Sequence, residues 1–194
     1  GWPLVEQELL GDAFTTSGLV FPEKSIGPRE TPWLELVRNG ALPCPDVLAE
    51  PASYQIGQRW LDLLAESIEK GKSKHWYGYY QLGVMLAHSG KADEALAAFD
   101  KSNELARNPW ALRSKAILLD LAGDQAKSAD LLLEAVNLLA ERNLAKEALA
   151  ALQKAGRPDQ VIDLYGRLPA AIQELGRLKV ILIEALLDSG DADR

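Results

Sequence analysis

HSGKADEA, residues 88–95, ends one helix and begins another within a few residues. Gly90 can take the left-handed conformation that closes a helix, and Asp93 and Glu94 suit the positive end of the next one. The same pattern returns as LAGDQAKSA at 121–129, KAGRPDQV at 154–161 and DSGDAD at 188–193. Its glycines, Gly90, Gly123, Gly156 and Gly190, recur at one nearly constant interval. From residue 55 onward the apolar spacing is helical almost without pause. A period of about 34 residues, with a glycine stop and a polar restart, is the signature of stacked helical hairpins. The expected fold is therefore all-α. It comprises three hairpins and the first helix of a fourth over residues 76–194.

Outward from the repeats the character of the chain changes. Seven of the ten prolines fall in the first 51 residues. Short helices are expected at about 3–10 and 31–38, the second entered at Thr31-Pro32 and left at Asn39-Gly40. Extended chain and turns are expected between them and from Ala41 to Tyr54. Trp2, Trp33, Leu36 and Tyr54 are too apolar for a free linker, so residues 1–54 should pack on something. The stretch from Tyr54 to Lys70 reads as an amphipathic helix carrying Trp60, Leu61, Leu64 and Ile68. Residues 55–75 thus form a capping helix and linker, which a stack needs because each hairpin buries its apolar face only against neighbours.

With Gly90 at the mid-hairpin position, Tyr79, Leu82, Gly83 and Leu86 pack from the first helix, and Ala95, Phe99 and Ser102 from the second. Leu112, Ala116 and Leu119 with Ser128, Leu132 and Ala135 follow in the next unit. Ala145, Ala148, Leu149 and Leu152 with Val161 and Tyr165 form the third, whose second helix is cut short by Leu168-Pro169. Lys179, Leu182, Ile183 and Leu186 begin a fourth. In this register the chain resembles the tetratricopeptide-repeat family. It departs from the family at Lys115, Ala116 and Ser128, where Leu, Gly and Ala are usual.

The resemblance implies a right-handed superhelical array of antiparallel helix pairs with a concave groove. That groove would be lined by Tyr77, Tyr80, Gln81, Val84 and His88, then Trp110, Arg113, Ser114 and Ile117, then Asn143 and Lys146 beside Glu147. The lysine and asparagine set with which some family members clamp a partner's C-terminal carboxylates is not reproduced. Tyr80 and Val84 take two of its places and Glu147 brings the wrong charge to another. The order of PWLELVRNGALP, EPASYQIGQRW and HWYGYYQLGVML also resembles the C-terminal helical region of large bacterial proteins. In those a β-rich domain, related to sugar-mutarotase sandwiches, precedes tetratricopeptide-like repeats.

The net charge of −7 opposes a phosphate backbone, so nucleic acid is not an expected partner. LKVILIEALLDSG is broken by Glu184 and is shorter than the roughly 20 residues a membrane span needs. A lone Cys44 forms no disulfide framework, which suits a reducing, cytoplasmic compartment. The start at Gly1-Trp2 lacks the order of a signal peptide and looks like a cut inside a longer protein. The half-unit at the end, with Val180, Ile183, Leu186 and Leu187, is expected to continue past Arg194, or to offer a dimer contact in isolation.

No phosphate-loop or dinucleotide motif is present. His75 and His88 sit at opposite ends of one expected helix, about 20 Å apart at 1.5 Å per residue, so they cannot share a metal unaided. Paired carboxylates such as Asp93 with Glu94 read as a solvated helix start. No catalysis, cofactor or metal is expected of this chain. Its expected role is a scaffold for a protein or peptide, or for the N-terminal domain of the parent chain. The alternative is an accessory domain of a carbohydrate-active enzyme, its aromatic wall of Trp76, Tyr77, Tyr80 and Trp110 completing a sugar site. A third reading has the groove filled by the chain's own N-terminal segment, 1–55.

Overall fold

In the computed structural model, which describes residues 1–11 and 20–190, Gly90, Gly123, Gly156 and Gly190 take φ values of 76°, 88°, 69° and 75°. Three of these turns share one hydrogen-bond arrangement. The amides of Lys91, Asp124 and Arg157 donate back to the carbonyls of Leu86, Leu119 and Leu152 at 3.0, 2.9 and 3.0 Å. This closure satisfies carbonyls that a helix end leaves open, and it demands a left-handed residue at the glycine. The described residues form eleven α-helices and no strand.

The chain divides into two compact units, residues 1–107 and 108–194. The first contains α1 (Trp2–Leu10), α2 (Thr31–Asn39), α3 (Gln58–Glu69), α4 (Trp76–His88) and α5 (Ala92–Leu105). α3 starts later than Tyr54 because the backbone stays extended to Gly57, at φ 110°. Trp60, Leu61, Leu64 and Ile68 make its buried face, as an amphipathic helix requires. α4 and α5 approach closely at Gly83, where an added Cβ would lie 2.5 Å from the ring of Phe99. The buried Ser102 hydroxyl donates to the carbonyl of Trp76 at 2.8 Å. Tyr79 and Leu82, expected in the hairpin core, are only half-buried. Tyrosine carries a polar tip on an apolar ring, which suits the half-buried position of Tyr79.

Residues 40–57 cross α3 and α4 without regular structure of their own. A continuous hydrogen-bond chain holds them there. The Leu42 amide donates to Ser73 Oγ (2.8 Å), Ser73 Oγ meets Ser67 Oγ (2.6 Å), and Ser67 Oγ donates to the Gly40 carbonyl (2.6 Å). Trp33 Nε1 donates to Ser53 Oγ at 3.0 Å and its ring meets Trp60 edge-on at 5.5 Å.

The second unit contains α6 (Pro109–Leu121), α7 (Gln125–Leu138), α8 (Arg142–Lys154), α9 (Pro158–Arg167), the short α10 (Ala170–Gln173) and α11 (Gly176–Asp188). Leu112, Ala116, Leu132, Leu144, Leu149, Leu152, Val161, Leu178 and Ile181 lie in one buried cluster. α11 buries Leu178, Ile181 and Ala185, whereas Lys179 and Ile183, expected to pack, are exposed. α9 stops at Leu168-Pro169 because a proline disfavours helix in the residue before it. α10, not expected from the sequence, is pinned by Gln173, whose Nε2 donates to the carbonyls of Tyr165 and Leu168 at 3.0 and 2.9 Å.

The first helices of successive pairs are tied side to side. Arg113 and Glu147 join α6 to α8 through a two-pronged pair at 2.6 and 2.7 Å. Lys154 reaches Asp120 at 2.6 Å, and Gln153 on α8 reaches Asp188 on α11 at 2.6 Å. These partners sit 34 or 35 residues apart, one period of the glycine turns.

Candidate functional site

The residues expected along a groove do not share one environment. Tyr77, Tyr80 and Gln81 are 2%, 4% and 0% exposed, and residues 52–53 account for part of that cover. Gln81 Nε2 donates to the Ser53 carbonyl at 2.9 Å and to the phenol oxygen of Tyr77 at 2.8 Å. The Tyr77 phenol also lies by the Ala52 backbone, and burial pushes its pKa up against both of those contacts. The rings of Trp76, Tyr77, Tyr80 and Phe99 contact one another at centroid distances of 5.3 to 6.4 Å. These side chains are interior, so the expectation that they line an open wall is corrected. Val84 is half-buried and His88 exposed.

The other groove candidates lie in the second unit. Trp110 is buried, Ser114 is half-buried, and Arg113 is half-buried in its pair with Glu147. Asn143 and Lys146 are exposed, and Ile117 is 41% exposed. Of these, Ile117 alone borders the open apolar trough of this unit, about 310 Å³ in volume. Its other apolar lining is Leu121, Leu132, Ala150 and Ala151, with Asp120, Glu147 and Lys154 as charged rim. Leu121 is 78% exposed, an unusual position for a leucine one turn beyond Ile117. The period could have found part of this set. Ile117 and Ala150 each lie six residues before a turn glycine, whereas Ile183 lies seven before Gly190; Ile183 and Leu187 on α11 are 56% and 66% exposed.

The half-buried His75 of the first unit is engaged in holding the fold. His75 Nδ1 accepts from the Gly78 amide at 3.2 Å and caps α4, while Nε2 donates to the Leu42 carbonyl at 2.9 Å. Both ring nitrogens are committed, which leaves neither free to take a proton from a substrate. Burial lowers the His75 pKa, opposed by the bond to Leu42. Burial raises that of the Cys44 thiol, opposed by the Tyr77 backbone and the Trp76 side chain, so the thiolate is disfavoured. A cleft of about 740 Å³ runs between Trp2 and residues 50–55. Two of its polar side chains are engaged locally: Glu6 accepts from Trp60 Nε1, and Arg29 Nε donates to the Ala52 carbonyl, both at 3.2 Å.

Among the described residues no three His, Cys, Asp or Glu side chains come together as a metal set, and no helix is long and apolar enough to cross a membrane. No family model matches the chain, and no curated protein is significantly similar to it.

Proposed function

We propose that this chain is a non-catalytic, tetratricopeptide-like scaffold, a superhelical array of antiparallel helix pairs within a larger protein. It holds an extended or helical segment of a protein partner against the first-helix face of residues 108–190. The observation that carries this reading is the open apolar trough in which Ile117 and Leu121 are left exposed. Exposed leucine and isoleucine in a concave site, rimmed by both signs of charge, suit apolar anchors on a peptide with polar flanks. The sugar-site reading loses its support, because the rings of Trp76, Tyr77, Tyr80 and Trp110 are buried and offer no open face for stacking.

Panning a displayed random-peptide library on the whole chain tests the proposal. Enriched sequences should share spaced apolar anchors and should lose binding to Ile117→Asp and Leu121→Asp variants whose circular dichroism is unchanged. Failure to enrich any sequence, or binders indifferent to both substitutions, would refute it.

A further inference from the structure

The second unit carries a cavity of about 350 Å³ where the first turns of α8 and α11 meet. Arg142, Asn143 and Lys146 line it from α8, and Gly176 and Arg177 from α11. No carboxylate lines it, although the chain holds 28 Asp and Glu residues against 21 Lys and Arg. The neighbouring acids are committed elsewhere. Glu141 accepts from the amides of Asn143 and Leu144 at 2.8 and 3.2 Å, Glu147 holds Arg113, and Glu174 pairs with Lys179 at 2.6 Å. Arg142, Lys146 and Arg177 make no ion pair with any described residue.

Arg142, Lys146 and Arg177 are solvent-exposed, so water screens their mutual repulsion, which a bound counter-charge would still relieve. Arg142 and Lys146 are four residues apart on one helix, where like charges repel. Arg142 and Arg177 stand in first turns, where a helix favours negative charge. α11 adds its own open donors, since its N-cap is Leu175 and no side chain caps it. An anion in the cavity would relieve all three effects together.

We infer that the cavity between Arg142, Lys146 and Arg177 is a binding site for a phosphate group. Three cations match a phosphate dianion better than a single carboxylate, and a guanidinium fork pairs two phosphate oxygens at once. Asn143 Nδ2 already donates to Glu141 Oε1 at 3.3 Å, so the neutral donors are the first amides of α11, at a helix start where oxyanions bind. The inference does not rest on the peptide-scaffold reading. It uses the cavity and its charges, at residues apart from the trough.

The test is a ¹H–¹⁵N titration of the whole chain with sodium phosphate, with ionic strength held constant by sodium chloride. The Gly176 and Arg177 amides should shift to saturation. Arg142→Gln and Arg177→Gln should each weaken binding about tenfold, the loss of one charge-assisted contact, with the remaining spectrum unchanged. A parallel titration with a phosphoserine peptide and its unphosphorylated twin separates the sources. Tighter binding of the phosphopeptide assigns a phosphorylated protein segment, and equal binding assigns a free phosphate. Shifts that stay linear for both ligands, that acetate reproduces, or that survive both substitutions overturn the site.

Discussion

Replacing Gly83 by alanine sets two effects of known sign against each other. In a helix interior alanine is favoured over glycine by about 1 kcal/mol. At this position the new methyl carbon would sit 2.5 Å from Cε1 and 2.7 Å from Cδ1 of Phe99, whereas carbon contacts are comfortable near about 3.5–4.0 Å. The ring must retreat by roughly 1 Å to restore such a contact. It is 1% exposed and its centroid is 6.2 Å from that of Tyr80, so it can retreat only within the interior, against packed neighbours. Overpacking of this kind costs about 1–3 kcal/mol. The net for Gly83→Ala is thus a loss of up to about 2 kcal/mol. In a Phe99→Leu background the methyl occupies space that the ring vacated, and the same substitution should become neutral or stabilise by up to about 1 kcal/mol. Urea unfolding followed by tryptophan fluorescence measures both, because four of the five tryptophans lie in the first unit. The reasoning fails if Gly83→Ala alone raises stability by the helix-propensity gain, or if the two substitutions add to within about 0.5 kcal/mol.

Ser73→Ala removes the middle of the chain joining Leu42 to Gly40 and strands a buried amide. A loss of about 1–3 kcal/mol is expected in the same unfolding assay, and Ser73→Thr should recover part of it. The lowered His75 pKa makes its contribution fully present above the unfolded value of about 6.5. The contribution is lost as pH falls from there through the folded value, because the unfolded chain takes the proton first. Unfolding midpoints between pH 8 and pH 5 should therefore fall more steeply for the native chain than for His75→Asn, and parallel curves would exclude the assignment. Cys44 is exposed, but partial desolvation of its thiol holds the pKa above the ordinary value, so it should react with an alkylating reagent at pH 8 somewhat more slowly than it does in urea-unfolded chain. Equal rates would contradict the desolvation argument.

Periodicity made the helical pairs legible, since a glycine stop leaves a local mark in the sequence. It marks Gly83 on the face of α4 toward α5, but it also puts Tyr79 and Leu82 there, which are half-buried, and turns away Tyr80, whose ring meets Phe99. It could not say what covers the opposite face. The cover over Tyr77 and Gln81 comes from Ala52 and Ser53, in a segment with no period and no regular structure. Buried rings and groove rings look alike in sequence, because Tyr and Trp suit both settings. The helix starts were legible only in part. Asn108 is an ordinary cap, whereas His75 and Glu141 hold the same position one repeat to either side of it and are not residues that announce one. Leu121 lies one turn beyond the groove positions that the family resemblance marks on α6, so nothing in the repeat register singles it out. The cavity beside Arg177 depends on α10, which turns the chain within a few residues and leaves no helical period.

The cover over α4 has a consequence in time. Ser53 meets Gln81 across 28 residues of chain, Leu42 meets Ser73 across 31, and Glu6 meets Trp60 across 54. At a synthesis rate of about 5–20 residues per second, the stretch around Ser53 waits roughly 1.5–6 s for its partner to be made. During that wait Trp33 and Leu42 have no interior to enter, and the nascent chain presents them to whatever is near. The side-to-side ties of the second unit span 34 or 35 residues, so it is the 54-residue wait of Glu6 for Trp60 that sets the first unit apart. Chaperone dependence, if the chain has any, should therefore concentrate in the first half of its synthesis.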